Sequence, residues 1–303
     1  MKKFLVLTLA AAALLVSCNK EGKTRITYET PIYSSLAVKY EVVNDDFLNL
    51  LLNQDKVSSF ELTENGDFVI VDKNGTHTGP IGNIDEIKDK AKDAPKSIEC
   101  TGWGKVDLEF ATKADPDLTI TFKPKSGVPF VLSANIVNPS TSVNQDFLKK
   151  LVRKWTITYT TVSVSGGDLG DKLAGGVNCN GCDLAKIKSE LERVSGKTFD
   201  MGDVSGYVVD YVEVTGAGSF IVKFTNGEAV SADINLTTPS ADKATFEYEV
   251  SGAQAGVSIF YGKANGEINF DKKGNCEFVL NAKVDHSNDA YKGKVVFKVK
   301  KID

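Results

Sequence analysis

The feature that most limits the possible folds of this chain is a set of short sequence blocks that occur twice in the same order. The blocks are rich in β-branched and aromatic residues, and one pair also matches at its glycines. The three pairs are residues 26–30 with 157–161, residues 61–75 with 213–227, and residues 120–134 with 268–282. Such self-similarity indicates a repeated structural unit. We therefore predict two related domains, at residues 24–142 and 143–303.

Within the repeats, short apolar segments are joined by turn residues. Asn65-Gly66, Asn74-Gly75, Asn226-Gly227 and Asn265-Gly266 each provide the positive φ values that a tight hairpin requires. One main helix per domain is predicted as well, at residues 183–194 in the second domain, where an aspartate precedes apolar residues at helical spacing. The predicted fold class is mainly β with a few helices. Its antiparallel strands form two tandem barrels or curved sheets that protect their edges.

The N-terminus has the pattern of an export signal. A basic start is followed by an apolar segment, residues 4–16, that is too short to span a membrane well. Leu15-Val16-Ser17-Cys18 resembles a bacterial lipobox, which implies removal of residues 1–17, acylation of Cys18 and a tether at residues 18–23. Two or more acyl chains hold a protein stably on a membrane. We expect a lipid anchor in the outer membrane, facing either the periplasm or the exterior; an ordinary cleaved signal is the alternative.

Charge and motif content exclude several functions. The net charge is −4 and no basic stretch is evident, which argues against nucleic acid as a partner. No Gly-x-Ser-x-Gly elbow, His-Glu-x-x-His pair or phosphate-binding loop occurs. The two histidines, His77 and His286, are interpreted as solvated loop residues without catalytic or metal partners. We therefore expect no enzymatic activity, no catalytic residues, no cofactor and no metal.

Cys179-Asn180-Gly181-Cys182 is the local motif with the most chemical content. It directly precedes the predicted helix, whose N-terminus would stabilise a thiolate. Four interpretations stay open: a disulfide that pins a loop in an oxidising compartment, a redox-active dithiol, half of a metal site, and two unpaired thiols. Cys100 and Cys276, one in each predicted domain, are either bridged to each other or buried as thiols.

The two tryptophans have different surroundings. Trp103 lies between two glycines, where its ring could stack on a sugar or another flat ligand; packing at a barrel mouth is the alternative. Trp155 lies in an apolar segment and is assigned to the core. Tyr207 and Tyr211 lie on a predicted strand, from which they could point into a barrel.

The second domain carries a further pattern. Apolar residues at 147–152 precede Trp155-Thr156-Ile157-Thr158, and a glycine-rich stretch at 166–176 precedes a helix. Over residues 147–284 this pattern resembles uncharacterised lipocalin-like lipoproteins of Bacteroidota. The first domain resembles them more weakly, because no tryptophan precedes its first predicted strand. The resemblance implies a small barrel that is either filled by side chains or holds one ligand, and it transfers no activity to particular residues.

Three functions are consistent with this pattern. The first is a non-enzymatic lipoprotein that binds a small apolar molecule or a glycan at the envelope. The second is a structural or interaction subunit that docks a protein partner in an outer-membrane complex, which an exposed apolar patch would favour. The third is a thiol-redox protein that uses Cys179 and Cys182. Barrel interiors packed with side chains would argue against the first function.

Overall fold

The computed structural model describes residues 39–43, 57–72, 74–86, 96–109, 118–137, 144–199, 203–237, 240–250, 262–286 and 289–302. Cys18, the tether and the repeat block at residues 26–30 lie outside the described residues. The chain divides into two compact units that adjoin in sequence between Pro139 and Ser140. The predicted boundary between residues 142 and 143 falls in segment 138–143, which is also outside them.

In its described part, the first unit consists of eight antiparallel strands. They are β1 (Lys39–Val43), β2 (Ser59–Leu62), β3 (Asp67–Asp72), β4 (Gly75–Glu86), β5 (Lys96–Cys100), β6 (Gly104–Glu109), β7 (Leu118–Pro124) and β8 (Phe130–Val137). Each strand pairs with the next, and β8 also pairs with β1. The sheet therefore closes on itself, which removes its free edges.

The second unit also closes through eight strands and adds helices near its start. Its elements are α1 (Gln145–Leu151), β9 (Arg153–Ser165), α2 (Gly167–Leu173), β10 (Val177–Asn180), α3 (Leu184–Ser195), β11 (Val209–Val214), β12 (Ser219–Phe224), β13 (Ala229–Thr237), β14 (Lys243–Val250), β15 (Gly262–Phe270), β16 (Cys276–His286) and β17 (Asp289–Lys301). Strands β11 to β17 form a meander, and β9 pairs with both β11 and β17. Strand β10 is an additional partner of β9. The predicted class, mainly β with antiparallel barrels, is confirmed.

The main helix of the second unit, α3, lies where the sequence predicts it, whereas α2 is a further helix within the glycine-rich stretch at residues 166–176. Asp183 caps α3, because its Oδ1 accepts a hydrogen bond from the backbone N–H of Lys186 at 3.1 Å. Gly196 ends the helix with a φ of 68°. Helix α1 leads into β9, and the indole N–H of Trp155 donates to the carbonyl oxygen of Leu151 at 3.0 Å. Trp155 is buried, so its assignment to the core is confirmed.

One turn has the same hydrogen bonds in both units. Between β2 and β3, the backbone N–H of Asp67 donates to Thr63 Oγ1 at 3.2 Å. Between β11 and β12, the backbone N–H of Ser219 donates to Thr215 Oγ1 at 3.1 Å. Both threonines are fully buried, so these bonds satisfy polar groups that water does not reach.

A glycine completes each of these turns. Gly66 and Gly218 have φ values of 76° and 88°, which glycine adopts at little cost. Their carbonyl oxygens accept from the next strand, from Ile81 N at 2.9 Å and from Ile234 N at 2.8 Å. The second pair of sequence blocks therefore marks a structural turn that occurs twice.

Two other expectations from the repeats are wrong. Residues 120–134 lie on the seventh and eighth strands of the first barrel, but residues 268–282 lie on the sixth and seventh strands of the second. This block pair reflects common strand composition, because apolar alternation alone produces it. Asn265-Gly266 is not a turn: Gly266 lies within β15, opposite Phe246, whose ring occupies the space that a side chain would need. The other three predicted Asn-Gly turns do connect strands.

Candidate functional site

The interior of the second barrel is filled almost completely by apolar side chains. A small cavity remains within it, lined by Ile157, Val209, Val212, Phe220, Val222, Leu280 and Phe297. Its volume is about 20 Å³, which is room for one or two water-sized groups. Pockets for small molecules enclose about 300–1,000 Å³. The cavity that the described residues of the second barrel enclose is therefore far smaller than a typical ligand pocket.

The interior of the first barrel is also packed. Phe60 and Phe122 are fully buried, and their rings meet edge to face with a centroid distance of 6.2 Å. Tyr40 stacks on Phe60 at 6.0 Å, and burial raises the pKa of the Tyr40 hydroxyl to about 12. Both described interiors thus serve as cores.

Trp103 lies at one end of the first barrel, in the turn between β5 and β6. The turn is fixed by backbone bonds from Trp103 N to Cys100 O at 3.0 Å and from Lys125 N to Trp103 O at 2.8 Å. The indole ring is half-buried and packs edge to face on Phe122 at 6.0 Å. This geometry is compatible with both roles considered for Trp103, packing at the barrel mouth and stacking on a flat ligand. The ring closes the barrel end and keeps part of its surface in contact with solvent.

The hairpin between β7 and β8 lies beside this turn and exposes apolar side chains. Val128 is 74% exposed and Val131 is 57% exposed. Phe130 is half-buried and stacks on Phe122 at 5.2 Å, with an interplanar angle of 17°. We refer to Trp103, Val128, Phe130 and Val131 together as the tip surface. Sequence reasoning identifies Trp103 but misses the other three, although the apolar run after the Ser126-Gly127 turn was a usable signal.

The charge near the tip surface is positive. Lys123 and Lys125 are exposed, and residues 118–137 contain no acidic residue. Lys123 is paired with Asp107, which also accepts a hydrogen bond from Ser97 Oγ at 2.6 Å. Asp107 is buried although it lies on the outer face of β6. A complementary partner would therefore combine apolar and acidic groups.

Cys179 and Cys182 are both buried thiols in the core of the second unit. Cys179 lies on β10 opposite Thr160, and Cys182 directly precedes the N-cap residue of α3. Burial raises the pKa of the Cys182 thiol to about 12, which a hydrogen bond with Thr160 only partly opposes. Desolvation of this buried thiol therefore outweighs the stabilisation that the helix N-terminus would give to its thiolate. A disulfide between the two cysteines stays a prediction.

Cys100 and Cys276 are also buried thiols, each in the core of its own unit. Burial raises the pKa of both, and Glu99 and Glu277 add to the shifts by charge repulsion. Of the two tyrosines, Tyr207 packs inside against Phe224 at 5.3 Å, whereas Lys154 Nζ lies 4.7 Å from the ring centre of Tyr211.

The two histidines lie at strands and not in loops. His77 is on β4, and its Nε2 lies 2.9 Å from Oδ2 of the buried Asp72. Asp72 Oδ1 accepts from Asn74 N at 2.7 Å, so the pair ties the β3–β4 hairpin together. The interpretation of His77 as a solvated loop residue is wrong. His286 is the last residue of β16, opposite Asp289.

Two features are absent from the described residues. No group of three or more His, Cys, Asp or Glu side chains there could hold a metal ion. No helix within the same residues is both long and apolar enough to cross a membrane.

The described residues thus define a protein with two closed eight-stranded barrels, filled interiors and apolar side chains exposed at one barrel end. No protein-family profile matches the chain, and no curated protein matches it. A candidate outer membrane protein from Bacteroides fragilis NCTC 9343 aligns over 88% of this chain and 98% of its own, with 9% identity and a TM-score of 0.27. A mutant of the vaccine antigen transferrin binding protein B from Haemophilus parasuis Hp5 aligns over 88% of this chain and 75% of its own, with 10% identity and a TM-score of 0.24. At these TM-scores the fold assignment rests on the strand pairing itself.

Proposed function

We propose that this protein is a non-enzymatic lipoprotein of the bacterial outer membrane that docks another envelope protein through the tip surface. The observation that carries this proposal is the exposure of Val128 and Val131, at 74% and 57%, beside the half-buried Trp103 and Phe130. Exposed large apolar side chains that lie close together in the chain are typical of interaction sites. Tryptophan is also among the residues that contribute most to protein interfaces.

The packed interiors favour this function over that of a small-molecule carrier. A carrier needs an enclosed pocket, and the cavity of about 20 Å³ in the second barrel is too small for one without rearrangement of its lining side chains. Such rearrangement would break contacts in a close-packed core. The raised pKa of Cys182 likewise disfavours the thiol-redox function.

The anchor and the tip surface would act together. Acylation at Cys18 would confine the protein to two dimensions at the membrane, which raises its effective concentration towards a membrane-bound partner. A modest apolar contact would then be enough for stable association. The nearby Lys125 would favour a partner whose contact surface is acidic at its rim.

Site-specific photo-cross-linking in the native host tests this proposal. A photoreactive phenylalanine analogue replaces Val128 in one variant and Val131 in another. The control variant carries it at Asn83, an exposed residue on β4 of the same barrel. We expect one discrete cross-linked product from positions 128 and 131 and none from position 83. Failure of both tip positions to cross-link to any envelope protein would contradict the proposal.

A glycan stacked on Trp103 is the second candidate, favoured by the open space around this turn. A Cβ placed at the adjacent Gly102 would have no atom within 4 Å, and an aromatic face attracts the C–H groups of a sugar. Two variants separate the candidates. Trp103→Ala should abolish glycan binding on an array, whereas Val128→Ser with Val131→Ser should leave it unchanged and should disrupt only docking of a protein.

A further inference from the structure

The outer face of the last strand of the second barrel carries a row of lysines. In β17, Val295, Phe297 and Val299 are buried, and the lysines that alternate with the inward positions are exposed. The exposed row consists of Lys292, Lys294, Lys298 and Lys300. At about 3.3 Å per residue, the row is about 27 Å long. These lysines do not form a continuous basic stretch in the sequence, because other residues, mostly apolar, separate them along the chain.

Strand β9 lies beside this row and contributes hydroxyl groups. Its register places Ser165 opposite Lys292, Ser163 opposite Lys294 and Thr156 opposite Lys300. Neighbouring strands are about 4.8 Å apart, so a ligand that follows the lysines also reaches the hydroxyl groups. On the far side of β9, Asn178 of β10 is exposed and accepts a hydrogen bond from Thr161 at 2.8 Å.

This face has few negative charges, in contrast to the chain as a whole. The protein contains 40 acidic residues and a net charge of −4, yet neither β9 nor residues 292–301 contain one. Glu277 lies opposite Lys298 on β16, and Glu267 on β15 is bonded to Lys243 at 3.1 Å and also lies within the electrostatic influence of Lys294. Within the described residues, none of the four lysines forms an ion pair; Lys298 lies 5.9 Å from the ring centre of Tyr159.

We propose that the outer face of β17 and β9 binds a linear anionic polysaccharide along the lysine row. Cations spaced along an extended strand match carboxylate or sulfate groups that recur along a linear chain. The adjacent hydroxyl and amide groups match its sugar hydroxyls. A membrane surface is the less suitable ligand, because binding at the lipid interface needs apolar side chains that insert, and the half-buried Val296 is the apolar residue within the row.

Lysine footprinting on the full chain in neutral detergent micelles tests this proposal by position. Lysines are acetylated with and without polygalacturonate or heparin, with dextran as the uncharged control, and the modified sites are read by mass spectrometry. We expect the charged polymers to protect Lys292, Lys294, Lys298 and Lys300, and dextran to protect none. Equal protection of exposed lysines elsewhere, such as Lys149 and Lys186, would overturn the proposal.

A matched pair of variants tests how much the lysine row contributes to the affinity for an anionic polysaccharide. The row variant carries K292Q, K294Q, K298Q and K300Q, and the control carries K149Q, K186Q, K272Q and K273Q, so both remove four charges from exposed positions. Each exposed ion pair strengthens association by about 1.4- to 5-fold. The row variant should therefore lose about tenfold or more in affinity at physiological salt, with thermal stability unchanged, and the control less than about twofold.

Three results would overturn the proposal. The first is an equal loss of affinity in both variants, which would mean that only net charge matters. The second is that the polysaccharides do not bind, whereas micelles that contain phosphatidylglycerol protect the lysine row. This result would identify a lipid surface as the ligand. The third is that an oligonucleotide binds as tightly as the polysaccharides and protects the same lysines.

Discussion

The two barrels share strand pairing and one turn, but they use their tryptophans differently. In the second barrel, Trp155 is 3% exposed and is bonded to the helix that precedes its strand. In the first barrel, Trp103 lies in a turn and reaches solvent. One tryptophan therefore completes a core and the other forms part of a surface. The two barrels thus share a closed framework and differ at their ends.

The elements that lie next to each tryptophan explain why the two barrel ends differ. Helix α1 packs at the start of the second barrel, where Phe147 meets Phe270 edge to face at 5.4 Å. Lys150 fixes the helix through the carbonyl oxygen of Ala241 at 3.0 Å and through Asp242 at 2.8 Å. These contacts hold the helix against strands β14 and β15. Among the described residues of the first barrel, two hairpins build the tip surface, and Val128 and Val131 stay exposed.

The largest expected effect is on the rate at which the buried thiols of the two barrels react. We expect Cys182 to be alkylated by iodoacetamide at pH 8 about a thousandfold more slowly in the folded, reduced protein than after unfolding. Three pKa units separate its folded value, about 12, from the ordinary 9.0. Cys100 of the first barrel, whose pKa burial also raises, is the control and should be equally protected. Mass spectrometry of labelled peptides measures both rates.

Rapid labelling of Cys182 with protection of Cys100 would revive the redox function for the second barrel. A Cys179–Cys182 peptide that stays bridged in unreduced protein from the host would instead show the disulfide. The pH dependence has a definite sign. The folded state holds the Cys182 proton more tightly, so this thiol stabilises the fold fully below about pH 9, and its contribution is lost as the pH rises towards 12.

Alanine substitution of the tryptophans should separate their roles directly. Trp155→Ala should lower the free energy of unfolding by about 3–5 kcal/mol, because it removes a buried ring and its hydrogen bond. Trp103→Ala should cost about 1–2 kcal/mol, because its ring is already partly in water. Urea denaturation followed by circular dichroism measures both. Equal costs would show that Trp103 is a core residue and would remove it from the tip surface.

Sequence reasoning succeeded where local chemistry decides the structure. Asp183 and the Asn65-Gly66 turn carry their signals in a few adjacent residues, and both lie where the sequence predicts. It failed at Gly266, because the ring of Phe246 on the neighbouring strand occupies the space above that glycine. The sequence also left four interpretations of Cys182 open, because the burial that raises the pKa of its thiol comes from residues distant in the chain. The tip surface and the lysine row depend on which strands become neighbours, which pairing across the sheet decides.

The glycines of the repeated turn offer a finer comparison. Gly66→Ala should cost about 1–2 kcal/mol, because its φ of 76° is unfavourable for alanine. Gly218→Ala should cost more, about 2–3 kcal/mol, because a new Cβ would also lie 3.0 Å from the carbonyl oxygen of Ile234. No atom lies within 4 Å of the corresponding position at Gly66. Chemical denaturation of both variants decides the order, and a larger cost at Gly66 would contradict the structural equivalence of the turns.

The smallest effect is expected at the threonines of the same turn, where the two barrels should behave alike. Thr63→Val and Thr215→Val each remove a hydroxyl oxygen that accepts a backbone N–H at 3.2 Å and 3.1 Å, and each should cost about 1 kcal/mol. The controls are Thr63→Ser and Thr215→Ser, which keep the hydroxyl and should recover most of that loss. If only one threonine showed the loss and its recovery, the two turns would share a sequence pattern without sharing its energetic role, and the barrels would have diverged in their framework as well as at their ends.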